Sequence, residues 1–233
     1  MRRIEPQPLN KATPEGPCLK GLSYVERANS PDRILYPQQR QEDGSFRRIS
    51  WQQALDTIAG NMQRLRKTYG AQSILFYASS GTSGLINGNS GNFWKLFGGA
   101  TTMYGNLCWP AGLEATLLTL GENKHNVPWD LEHARMIIMW GKNAAETNVQ
   151  EMIPLHKALE KGARYVVVDP RRTQTSEHAD MLLQIKPGTD GALALGVARY
   201  LINHECIDQA FIQQHVKGFE AFADEVQAFT LER

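Results

Sequence analysis

The chain has no long apolar run, no framework of cysteines and no strong charge of either sign, and each absence removes a class of function. Its longest apolar stretches, such as Met136 to Trp140 and Tyr165 to Val168, fall far short of the ~20 residues that a bilayer span requires. No direct membrane insertion is expected. Three cysteines, Cys18, Cys108 and Cys206, stand far apart in sequence and odd in number, so they do not form a disulfide scaffold and each needs its own explanation. A formal net charge of +1 gives no bulk attraction to nucleic acid or an anionic membrane. Neither GxGxxG nor GxxxxGK[ST] occurs, which removes an ordinary NAD fold and a P-loop. The six histidines fall in no close metal-ligand spacing and read as surface or local structural residues.

What is present is a repeated order of strand, small-residue loop and helix. Residues 1 to 48 carry Pro14, Pro17, Pro31 and Pro37 and read as irregular. Ser50 with Gln53 forms a capping-box pattern, after which Trp51, Leu55, Ile58, Met62 and Leu65 recur at helical spacing as far as Gly70. Ser73 to Ala78 reads as a strand that runs into a loop of Ser, Gly and Thr, and a Gly-rich tract from Gly88 to Gly99 follows. A helix near Leu113 to Leu120 precedes a strand from Met136 to Trp140, and a helix around Val149 to Lys161 leads into a valine strand that stops at Asp169-Pro170-Arg171. Leu182 to Ile185 is short and apolar, and Pro187-Gly188-Thr189-Asp190 then opens a helix with Leu193, Val197 and Leu201. The pattern predicts an α/β fold: a doubly wound, mostly parallel, Rossmann-like sheet.

Ligands of open α/β sheets collect beyond the carboxyl ends of the strands. The loops after Ala78, Trp140 and Val168 are therefore expected to line one crevice. Arg171 offers a fork of donors suited to pyrophosphate, and Gly141 and Gly188 let backbone approach a ligand. Asp190 could accept two N–H groups at once, matching the paired donors on the edge of guanine. Taken singly, Asp169-Pro170 also reads as a turn and Asp190 as a charge in a first helical turn; taken together, the loops favour a nucleotide-like ligand.

The combination Trp140-Gly141-x-Asn143, Asp169-Pro170-Arg171-x-Thr173 and Pro187-Gly188-Thr189-Asp190 resembles the molybdopterin oxidoreductase, or dimethyl sulfoxide reductase, family. Upstream, Cys18-Leu19-Lys20-Gly21 followed by Ser30-Pro31-Asp32-Arg33-Ile34-Leu35-Tyr36-Pro37 is similar to that family's passage from its iron–sulfur domain into its main α/β domain. Residues 1–30 would be a remnant of the 4Fe-4S and pterin domain, and 31–233 the amino-terminal part of the molybdopterin-binding domain. The resemblance implies that Trp140, Gly141, Asn143, Asp169, Arg171, Thr173, Gly188 and Asp190 hold the guanine-dinucleotide arm of a pyranopterin. The implied cofactor is molybdenum, or tungsten, bis(molybdopterin guanine dinucleotide), whose metal carries the chemistry. Trp109 and Trp140 are placed to stack on a flat ring, and equally to be ordinary core.

Within the same resemblance, Cys108 in Tyr104-Gly105-Asn106-Leu107-Cys108-Trp109-Pro110 matches the loop that supplies the protein ligand to the metal. A thiolate is a soft donor suited to a metal already held by dithiolene sulfurs. Cysteine there points to the formate dehydrogenase, periplasmic nitrate reductase and sulfur-compound reductase branches. Outside the family context the same residue reads as a small buried cysteine. Cys18 resembles the last of four ligands to a 4Fe-4S cluster, and Lys20 the basic residue between cluster and pterin. Four thiolates are needed, and the other three would precede Met1. The cluster is therefore expected in a full-length parent only, with Cys18 either a relic or one ligand of a site completed by a separate polypeptide.

The chain is read as an amino-proximal fragment whose exposed surfaces are meant to be buried. Its expected partners are the pterin cofactor and a complementary polypeptide or electron-transfer subunit, with no nucleic acid. As written it would be cytoplasmic, since Arg2-Arg3 are not followed by an apolar stretch; a preceding twin-arginine signal would make it periplasmic. A non-redox guanine-nucleotide module and an inactive remnant remain as alternatives.

Overall fold

The computed structural model describes all residues except 1, 8, 14, 79, 80, 82, 83, 106–108 and 231–233. The chain forms two compact units, one of residues 1–3 and 23–125, the other of residues 4–22 and 126–233. The second unit opens with a short helix, α1 (Leu19–Leu22).

In the first unit, α2 (Tyr24–Asn29) precedes an antiparallel hairpin of β1 (Gln38–Arg40) and β2 (Phe46–Arg48). Helix α3 (Trp51–Tyr69) starts at the expected capping box: Ser50 Oγ accepts from Gln53 N at 3.1 Å, and Ser50 N donates to Gln53 Oε1 at 3.0 Å. It stops at Gly70, whose φ of 85° lies where glycine is at ease. Its apolar stripe has the predicted period, yet Trp51, Leu55 and Ile58 remain exposed. Strand β3 (Leu75–Phe76) pairs in parallel with β4 (Thr101–Thr102), and α4 (Leu85–Gly88), α5 (Ser90–Phe97) and α6 (Pro110–Leu120) complete the unit.

The second unit is built on a parallel sheet in the order β5 (Met136–Trp140), β6 (Arg164–Val168), β7 (Met181–Leu183). Helices α7 (Ala144–Thr147) and α8 (Met152–Glu160) link β5 to β6. Helix α9 (Asp190–Asn203) follows β7, then come α10 (Gln209–His215), α11 (Phe219–Glu225) and a 3-10 turn at Val226–Ala228. Pro154 sits in the first turn of α8, where the missing N–H costs no helical bond. That helix lays Leu155 and Ala158, both fully buried, against Ile137, Met139, Tyr165 and Val167 of the sheet. The period of two in β5 turns Met136 and Ile138 to the opposite face, where they are 58% and 51% exposed.

Among the described residues the strands form separate small sheets and not one continuous doubly wound sheet. The fold is mixed α/β with small parallel sheets, because the strand near Leu75 finds its partner locally. Thr101 returns from the Gly98-Gly99 turn, donates its N–H to Ile74 O at 2.9 Å, and donates its hydroxyl to Gln72 O at 2.6 Å. Among the described residues no helix is long and apolar enough to cross a membrane.

Candidate functional site

The register of the three-stranded sheet brings its carboxyl ends level. Trp140 lies opposite Val168, and Val168 opposite Leu183. Each ladder gains one further bond, Gly141 N to Val168 O at 2.8 Å and Asp169 N to Leu183 O at 3.1 Å, before the chain turns away. Three loops therefore leave one edge side by side, the arrangement that makes a crevice in parallel sheets. The third comes after β7; the loop after Ala78 belongs to the other unit, and Ser79, Ser80, Thr82 and Ser83 lie outside the described residues.

The first loop turns at Gly141, whose φ of 60° is left-handed and where nothing lies within 4 Å of a would-be Cβ. Lys142 pairs with the carboxylate of Glu151. Asn143 caps α7: its carbonyl accepts from Thr147 N at 3.0 Å and from Thr147 Oγ1 at 2.8 Å. Its side-chain Oδ1 accepts from Thr175 Oγ1 at 2.6 Å. Thr175 in turn accepts from Ala145 N at 3.1 Å, and its carbonyl accepts from the buried Tyr165 hydroxyl at 2.6 Å. Burial first, and then the charge of Glu151, push the Tyr165 phenol up to about 12.

In the second loop Asp169 is buried, and its Oδ1 accepts from Arg171 N at 2.8 Å, closing an Asx turn that presents Arg171 and Arg172 to solvent. Among the described residues neither guanidinium forms an ion pair. Thr173 is 7% exposed. Ser176 Oγ accepts from Thr173 N at 3.2 Å and donates to Thr173 O at 2.7 Å. The hydroxyl of Thr173 itself is buried and makes no hydrogen bond among the described residues. A buried polar atom in that state costs about 1–3 kcal/mol, which a ligand atom could recover.

The third loop bends at Gly188, φ 85°, and Thr189 closes it by donating its N–H and hydroxyl to Lys186 O at 3.1 and 2.7 Å. Asp190 is the first residue of α9, as its sequence position predicts. Its Oδ1 accepts from Trp140 Nε1 at 2.7 Å. That bond joins the end of β5 to the helix after β7, spanning roughly two strand spacings, or about 10 Å. Trp140 thus orients the carboxylate, and Asp190 Oδ2 makes no hydrogen bond among the described residues.

Eight of the sequence-predicted residues, Trp140, Gly141, Asn143, Asp169, Arg171, Thr173, Gly188 and Asp190, therefore share one sheet edge. Lys20 is held in the same unit, its Nζ donating to Glu146 O at 3.2 Å in α7. Cys18 is half-buried beside α1. Its thiol is pulled below the usual range, chiefly by hydrogen bonding to the Gly21 backbone and less by the Lys20 charge. No group of three or more metal-ligating side chains occurs among the described residues. Cys108 lies outside them. Trp109 precedes α6, with its ring 5.5 Å from that of His125.

Sequence reasoning missed Tyr165 and Thr175. The signal for Tyr165 was available: a tyrosine opening a run of valines must find a buried partner for its hydroxyl. Thr175 follows the recognisable Asp-Pro-Arg-x-Thr run by two residues and carries no signal of its own.

Comparison with known proteins gives one consistent result. The family described as Molybdopterin oxidoreductase matches residues 33–229. The chain is 32% identical over 230 residues to the probable oxidoreductase YyaE of Bacillus subtilis, covering 99% of this chain and 34% of that protein. It is 35% identical over 223 residues to the dimethyl sulfoxide reductase DmsA of Escherichia coli, covering 87% of this chain and 27% of DmsA. Among solved structures it matches the acetylene hydratase of Pelobacter acetylenicus with a TM-score of 0.65 and 28% identity, over 98% of this chain and 32% of that one. The chain thus spans about a third of the length of the proteins it matches.

Proposed function

Since the chain belongs to the molybdopterin oxidoreductase family, we propose that the carboxyl edge of its three-stranded sheet anchors the guanine-dinucleotide arm of a pyranopterin cofactor. The observation that carries this reading is the Trp140–Asp190 bond, 2.7 Å long, which fixes a carboxylate at the crevice with one oxygen still available. A guanine edge offers two adjacent N–H donors to such an acceptor. Arg171 and Arg172 supply cationic forks of the kind that bind diphosphate. The open space beside Gly141 and the unpartnered Thr173 hydroxyl fit a ligand that approaches the backbone closely.

When bound, the cofactor supplies a molybdenum or tungsten centre for oxygen-atom transfer, or for transfer of a proton with two electrons. The residues of this chain bind and orient its nucleotide end. Cys108 is assigned as the thiolate ligand to the metal, by the chemistry of a soft donor toward a dithiolene-bound metal. Lys20 is assigned to the path between an iron–sulfur cluster and the pterin. Cys18 is assigned to an iron–sulfur cluster of the four-thiolate kind. The reaction of the complete enzyme is of the formate dehydrogenase, nitrate reductase or sulfur-compound reductase kind.

The test is metal analysis and pterin fluorescence on protein from an anaerobic, molybdate-fed host, with and without the neighbouring reading frames. Metal and pterin in the co-expressed complex support the assignment, and finding neither overturns it. A second reading rests on all eight anchors lying in one compact unit: a guanine-nucleotide module without redox chemistry. Calorimetry separates the two, since a dedicated module binds GDP at roughly micromolar affinity or better, whereas one arm of a much larger site binds it far more weakly.

A further inference from the structure

We infer that Thr175 is a positioning residue: it locks the Asn143 side-chain amide so that the Nδ2 donors are left for an oxygen acceptor on the bound nucleotide arm. The inference rests on the anchor role proposed above and adds a residue that no motif contains. It follows from counting donors and acceptors around one hydroxyl. Thr175 Oγ1 has a single proton and two lone pairs. The backbone N–H of Ala145, 3.1 Å away, can only donate, so the hydroxyl accepts there. Its one proton needs an acceptor in this buried place, and the facing atom of Asn143, 2.6 Å away, is the acceptor Oδ1. With the opposite amide orientation the hydroxyl could accept from both N–H groups, but its own buried proton would then have no acceptor among the described residues.

Thr175 is itself held firmly. It is 1% exposed, and its carbonyl accepts from Tyr165 OH at 2.6 Å, with Tyr165 fully buried beneath it. The relay Tyr165–Thr175–Asn143 thus carries rigidity from the core to the first loop of the crevice. Asn143 Nδ2 forms no hydrogen bond among the described residues, so both of its protons remain for a ligand. Asp190 presents an acceptor at the third loop in a complementary way, oriented by Trp140.

The experiment combines GDP titration with the side-chain ¹⁵NH₂ signal of Asn143, assigned by its loss in Asn143→Ala. Thr175→Ser keeps the hydroxyl and is expected to leave both the amide signal and the GDP affinity within about twofold of the parent. Thr175→Val should shift the amide signal and weaken GDP roughly tenfold, the size of one lost hydrogen bond to a charged ligand. Asn143→Ala should weaken GDP by a similar factor, and the double variant no further, because the two residues act as one unit. Additive losses, or an unmoved amide signal in Thr175→Val, overturn the inference. If Thr175→Val does not fold, the inference stands or falls on Asn143→Ala: unchanged GDP binding in that variant refutes it. Because GDP is one arm of a larger ligand, it is titrated into the millimolar range; no saturable binding by the parent chain even there overturns the anchor reading, and the amide signal still decides whether Thr175 sets the orientation.

Discussion

Replacing Asp190 by asparagine changes one atom at the crevice, and the structure says which one. The indole N–H of Trp140, 2.7 Å from Asp190 Oδ1, can only donate. It therefore holds the amide oxygen of the introduced side chain on its own side and leaves the new NH₂ group where Oδ2 stood. A guanine edge arriving with its N1–H and N2–H₂ donors would meet a donor in place of an acceptor. One charge-assisted hydrogen bond, worth about 1.5–3 kcal/mol, is lost, and two unpaired donors face each other. The expected penalty is about 3 kcal/mol, or roughly a hundredfold in Kd. Xanthine carries a carbonyl where guanine carries the amino group, so xanthosine diphosphate should regain part of that loss in the variant while binding the parent poorly. Parallel titrations of parent and Asp190→Asn with GDP and XDP measure this. Equal GDP affinity in the two proteins, or no gain for XDP in the variant, would refute the assignment of Asp190 to the base.

Thr173→Val removes a buried hydroxyl that makes no hydrogen bond among the described residues. Thermal unfolding of the ligand-free protein should show unchanged or slightly raised stability, because no made hydrogen bond is lost, while cofactor retention falls if that hydroxyl meets the ligand. Tyr165→Phe deletes the bond to Thr175 O and should cost about 1–2 kcal/mol in urea unfolding at neutral pH. The same phenol sets an alkaline limit: its folded value of about 12 exceeds the ordinary 10.0, so its contribution is complete below pH 10.0 and is lost as pH rises toward about 12. Parent protein should lose stability across that window, and Tyr165→Phe should lack that component, as read by unfolding against pH and by tyrosinate absorbance. Leu155→Ala empties a fully buried position between α8 and the sheet and should cost about 2–5 kcal/mol; a loss below about 1 kcal/mol would contradict that packing.

Local signals were legible where the chain itself supplies both partners of an interaction. Ser50 and Gln53 satisfy each other across one helical turn, and the valine run around Val167 is an apolar β-branched segment that pairs on both sides. The position of Asp190 at a helix start could be read from Pro187-Gly188-Thr189 alone. The division into several small sheets could not, because it depends on Thr101, in a glycine-rich tract, returning to Leu75. Nor could the bond between Trp140 and Asp190, fifty positions apart. Thr175 bonds to Asn143 of the first motif and Tyr165 only to Thr175, and nothing in the motif spacing marks either.

The proposed occupancy of this sheet edge is a guanine nucleotide joined to a pterin. Its most direct measurement is acid release of nucleotide and pterin from the protein, purified anaerobically with its neighbouring reading frames from a molybdate-fed host. GMP and oxidised pterin in equal amounts, both lost in Asp190→Asn, are the predicted result. Pterin without GMP, or GMP and pterin retained undiminished in that variant, would contradict the account.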